Sequence, residues 1–144
     1  MTRLVARLAL AALLPVPGAA AAQEALSPQD FLNMVEGRTI AFAAAADGTP
    51  LGDEQFLGEG RSLLRLPDGS CHEGEVSVRG PAICFAYPEL SAETECFWMM
   101  RDEGRLLARS AALISGRLLE VGPITDAPLA CGLLAALPAP MDPA

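Results

Sequence analysis

His72 is the single histidine of the chain, and it stands directly after Cys71. Cys84 and Cys96 follow, along with the only tyrosine, Tyr87, and the only tryptophan, Trp98. These are residue types that hold metals or supply a base. A zinc-type set would be Cys71, His72, Cys84 and Cys96, but the spacing matches no zinc ligand pattern. Neighbours on a strand also point to opposite faces, so Cys71 and His72 diverge. A copper site would draw on His72, Trp98, Met99 and Met100. Here too the two methionines alternate across a strand, and methionine commonly fills irregular core gaps. There is no Cys-x-x-Cys, hence no thioredoxin-like pair, and no Cys-x-x-Cys-His run for haem attachment.

Hydrolytic chemistry would make His72 the base for a serine, but no Gly-x-Ser-x-Gly elbow occurs. Carboxylates do come in pairs. Glu73 and Glu75 share one strand face; Asp53-Glu54, Glu93/Glu95 and Asp102-Glu103 read as turn clusters. Solvated loops and strand exteriors account for such pairs. No catalytic, cofactor-binding or metal-ligating residue is therefore assigned, and no cofactor is expected.

The cysteines take their meaning from the start of the chain. Arg3 and Arg7 precede an apolar run from Leu8 to Leu14, then Pro15, Pro17 and Gly18, then Ala20-x-Ala22. This is the pattern of a cleaved export signal over residues 1–22, with Gln23 the new N-terminus. The apolar run is shorter than the roughly 20 residues that cross a bilayer. A periplasmic or secreted location follows, with no membrane attachment after cleavage. In that oxidising space four cysteines read as a disulfide framework. Without Arg3 and Arg7 the chain keeps 8 basic and 18 acidic side chains. A field of that sign repels phosphate backbones, so nucleic acid is not an expected partner.

The elements that position these residues follow from the texture of the mature chain. Ser27-Pro28-Gln29-Asp30 carries a cap, a first-turn proline and a capping acid, and Gly37 is a stop. One short helix is expected over about 28–36. From Arg38 onward, alternation and turn signals recur about every 8–12 residues, the spacing of an all-β protein. About eight short antiparallel strands are expected between residues 38 and 121, in one domain spanning 23–137, with a disordered tail at 138–144. A meander of that size is most economically closed into a small barrel, because closure removes unpaired edges; a sandwich is the alternative. A short helix ahead of such a meander resembles the calycin group: lipocalin-like, avidin-like and bacterial metalloprotease-inhibitor barrels. The Gly-x-Trp signature of lipocalins is absent, with Gly37-Arg38-Thr39 near the first strand.

A hairpin centred near residue 90 places Cys84 opposite Cys96, close enough to bridge. Elimination then leaves Cys71 with Cys131. Four cysteines allow three connectivities, and sequence does not choose among them. The same register sets Trp98 and Met100 on the cysteine face, with Ile83, Phe85, Tyr87, Phe97 and Met99 on the other. Both faces are apolar, so the second needs cover from the helix, the tail or a partner.

The runs GRTIAF, GDEQFLGEGR, LPDGSCHEG, ICFAYPE and CFW resemble those of a set of small exported alphaproteobacterial proteins, over about residues 37–100 and the PLAC segment at 128–131. Phe97 and Val76 stand where such sequences carry tryptophan. The resemblance implies fold and compartment and carries no catalytic residue across. The expected function is a non-enzymatic, disulfide-stabilised periplasmic β-barrel that binds a small apolar ligand or a protein partner. One form of the latter is a protease inhibitor whose free N-terminal segment, Gln23 to Ser27, enters a protease cleft. The alternative is a metal-binding protein or hydrolase using His72 and nearby carboxylates.

Overall fold

A computed structural model describes residues 23–112 and 116–131. The expected export segment and the tail beyond Cys131 lie outside the described residues. A short strand β1 (Glu24–Leu26) leads into helix α1 (Pro28–Val35). Eight strands follow: β2 (Thr39–Ala44), β3 (Pro50–Gly58), β4 (Arg61–Arg65), β5 (Cys71–Arg79), β6 (Ala82–Ala86), β7 (Thr94–Asp102), β8 (Arg105–Ser110) and β9 (Leu118–Thr125). Each of β2 to β9 pairs antiparallel with the next, and β9 returns to pair with β2. The meander is a closed eight-stranded barrel, not a sandwich, and closure leaves no open sheet edge around the ring.

Several bounds differ from the sequence reading. The helix ends at Val35, one residue early, and the last strand runs to Thr125 rather than residue 121. β3 is nine residues long, its run through Gly52 and Gly58 included. The strand ahead of the helix was not expected. Glu24–Leu26 pairs with Met99–Arg101 on the stretch of β7 that β6 leaves free. The N-terminal segment expected to be free is thus built into the sheet.

α1 closes one end of the barrel. Ser27 accepts a hydrogen bond from the Asp30 amide at 3.1 Å, satisfying a first-turn donor. Pro28 stands in the first turn, where its missing N–H costs nothing. The helix turns Phe31 and Val35 inward, both fully buried. The Phe31 ring meets Phe56 edge-on at 5.9 Å. Past Gly37 the chain locks onto β3: the Gly37 amide donates to the Phe56 carbonyl, and the Phe56 amide to that of Arg38, each at 2.9 Å. Tight hairpins crowd this same end. At Glu59-Gly60 and Glu103-Gly104 both turn residues have positive φ, the geometry whose twist matches paired strands.

Inside the barrel Phe85 is the hub. Its ring lies edge-on to Phe42, Phe56 and Phe97 at 6.1–6.4 Å. Ile40, Ile83, Met99, Leu106, Ala108, Leu119 and Val121 complete the core. The inward set on β6 and β7 is the one the hairpin register predicts.

Cys84 stands opposite Cys96 and is bonded to it, and Cys71 is bonded to Cys131. The second bond holds a tail strap on the outside of the barrel. Thr39 Oγ1 donates to the Ala127 carbonyl at 2.7 Å, and the Leu129 amide donates to Gln55 Oε1 at 3.0 Å. The strap therefore lies over β2 and β3. The helix packs inward, and Trp98 on the outer face of β7 remains 41% exposed.

Candidate functional site

The end of the barrel away from α1 carries the longer loops, 45–49, 66–70 and 87–93. Between them a cavity of about 230 Å³ opens into the barrel. Its walls are apolar, chiefly Phe42, Leu51, Leu64, Phe85, Phe97 and Leu119. Two polar side chains reach into it from the barrel wall, Glu54 and Tyr87.

Glu54 is 2% exposed. It lies on β3 two residues before Phe56, so strand alternation turns it to the core with that ring. The structure corrects the expectation of a solvated Asp53-Glu54 turn pair, because Glu54 is buried on a strand. Asp53 does face outward, where Arg65 Nη2 holds it at 2.6 Å. The Tyr87 hydroxyl donates to Glu54 Oε1. Tyr87 can reach because β5 has no side chain in its path. A Cβ on Gly74 would lie 2.6 Å from Tyr87 Cδ1, so the ring occupies the space any larger residue would need. Ser62, inward on β4 and 1% exposed, lies behind the pair, its hydroxyl close enough to favour the charged carboxylate without making a full hydrogen bond.

Burial pushes the Glu54 carboxyl up to about 7, against a smaller opposing effect of the Ser62 and Tyr87 hydroxyls. Removing the charged form from water is the dominant cause. Burial likewise pushes the Tyr87 phenol up, and the charge of Glu54 adds to it, so Tyr87 stays a hydrogen-bond donor. At the mouth, Arg117 Nη2 pairs with Glu95 at 2.8 Å and lies over the Phe97 ring, 5.7 Å from its centre. The two charged groups of the rim thus neutralise one another. A buried carboxyl titrating near neutrality in an apolar cleft marks a candidate functional site. Among the described residues that line the cavity, Tyr87 is a bound donor and the rim charges of Arg117 and Glu95 are paired.

His72 is at a different place. Its Nε2 lies 3.2 Å from Ser70 Oγ and its Nδ1 3.0 Å from Glu89 Oε2. The order serine, histidine, carboxylate is that of a nucleophilic relay. Its chemistry is nonetheless spent within the turn. Ser70 Oγ donates to Asp68 Oδ1 at 2.7 Å, and the Ser70 amide donates to the same oxygen at 2.9 Å. These bonds hold the Asp68 carboxyl below the usual range. The hydroxyl proton thus points away from the imidazole, and the amide that would stabilise an oxyanion is occupied. Glu89 is a surface side chain.

The other sequence candidates are dispersed. All four cysteines are in disulfides, which leaves no thiolate for a metal. Among the described residues no three His, Cys, Asp or Glu side chains converge as a metal site. Glu73, Glu75 and Glu93 are exposed, and Asp102 pairs with Arg105 at 3.3 Å. A shallower space of about 330 Å³ lies under the tail strap, but the charges beside it, Asp53 and Arg65, satisfy each other. Among the described residues no helix is long and apolar enough to cross a membrane. No protein-family model, no curated protein and no solved structure matches this chain.

Proposed function

We propose that the protein is a non-enzymatic, disulfide-stabilised barrel of the periplasm or cell exterior that binds a small apolar ligand in its open end. The observation that carries this reading is the cavity itself: apolar walls, one mouth, and a buried Glu54–Tyr87 pair to orient what enters. Binding sites for small molecules have this make-up, an apolar lining with a few placed polar groups. The volume suits a compact ligand, since an apolar hole of about 150 Å³ already accepts benzene. The helix stopper and the two disulfides keep the walls in place before the ligand arrives, which lowers the ordering cost of binding.

A thermal-shift screen with short-chain and single-ring apolar compounds tests the proposal. Binders are expected to raise the melting temperature of the native protein. Leu64→Trp, which fills the cavity from β4, is expected to remove the effect while leaving the circular dichroism spectrum of the barrel. Shifts that survive the filled cavity would place binding elsewhere and refute the reading.

A further inference from the structure

We propose that the ligand is an organic cation: a compact amine whose ammonium group lies against Glu54 and whose hydrocarbon body lies against the Phe42, Phe85 and Phe97 walls. This rests on the reading of the open end as a binding cavity and adds the chemical class of its occupant.

The argument begins with an incomplete hydrogen-bond set. An ionised carboxylate accepts at both oxygens, with about four lone-pair directions. Among the described residues only Tyr87 is hydrogen-bonded to Glu54, and only through Oε1. A purely hydrocarbon ligand would seal the second carboxylate oxygen from water without supplying a partner, at the full desolvation cost of that group. An anionic ligand would bring a second negative charge to a buried carboxyl, which disfavours both. An ammonium supplies donors and the opposite charge together.

The surroundings select in the same direction. Among the described residues no cationic side chain pairs with Glu54: Arg117 stays at the mouth, held by Glu95. Aromatic faces attract cations, and Arg117 over Phe97 at 5.7 Å shows this wall already taking one. Without Arg3 and Arg7 the chain carries a ten-charge acidic excess, 18 acidic against 8 basic side chains, which draws cations toward the mouth.

The test is a calorimetric titration of the native protein with phenethylamine, phenethyl alcohol and phenylacetate at about pH 8, where Glu54 is mostly ionised. These share one ring and differ in the charge of the head. The amine is expected to bind at least about tenfold more tightly than the alcohol, the scale of a hydrogen bond to a charged group. Phenylacetate is expected to be weakest. Glu54→Gln, which keeps an acceptor for Tyr87, is expected to abolish the preference for the amine over the alcohol. An alcohol that binds as well as the amine, or an amine preference that survives Glu54→Gln, overturns the cation assignment while the cavity reading stands. Failure of all three to bind overturns the cavity reading itself. The three titrations of the unmodified protein decide the matter even if the variant does not fold.

Discussion

Glu54 is where sequence and structure part most instructively. Beside Asp53, and flanked by Gly52 and Gly58, it has the look of a turn carboxylate. In fact both glycines are strand positions, and Gly52 allows β3 to pass close to β4, where a Cβ would sit 2.9 Å from the Arg65 carbonyl oxygen. Strand parity with Phe56 was the available signal, and it required knowing that β3 begins at Pro50. The raised carboxyl has a consequence for stability. Between the usual 4.5 and about 7 the folded chain holds a proton that the unfolded chain has lost. Stability from this group is therefore present at low pH and is lost as pH rises through about 7, a difference of about 3 kcal/mol. Melting temperatures measured from pH 5 to pH 8 are expected to fall on this account, and Glu54→Gln is expected to flatten that part of the profile. Gly74→Ala is a second residue-scale test. The added methyl displaces the Tyr87 ring, with an expected loss of about 1–3 kcal/mol in chemical denaturation and of the Tyr87–Glu54 bond.

At the scale of elements, the helix was legible and its role was less so. Ser27, Pro28 and Asp30 announce a helix start, but nothing local says that α1 stoppers the barrel rather than covering an outer face. That depends on Phe31 meeting Phe56, a contact between distant parts of the chain. Phe31→Ala is expected to cost about 3–5 kcal/mol, read as a lower denaturation midpoint, because a fully buried ring would be replaced by a void. β1 was invisible for a related reason: three residues carry no period, and their partner, Met99–Arg101, is more than 70 residues away. By contrast, the hairpin of β6 and β7 could be read because opposed positions in a hairpin have a constant sum, which puts Cys84 on Cys96. The bonds span 12 and 60 residues. Chain entropy assigns about 3 kcal/mol to the first and about 4 kcal/mol to the second. Replacing Cys71 and Cys131 together by serine is thus expected to lower the denaturation midpoint more than replacing Cys84 and Cys96. The reverse order would show that the tail strap adds little beyond its own loop.

For the whole molecule, the regular recurrence of turn signals was enough to indicate a closed meander, since eight short strands without crossover helices have few other ways to bury one face. Which end is open was not legible. It follows from the division between tight, helix-covered turns at one end and longer loops at the other, which appears only once all strands are in register. That asymmetry makes the molecule a cup, with its buried carboxyl reached from one side. The most direct test of the cup as a binding site is amide NMR of the native protein titrated with phenethylamine. Shifts are predicted to concentrate at Glu54, Leu64, Tyr87 and Leu119 around the cavity, with Leu32 and Gly60 at the helix end silent. Shifts centred on the helix end or around Trp98, or none at saturating ligand, would contradict the account.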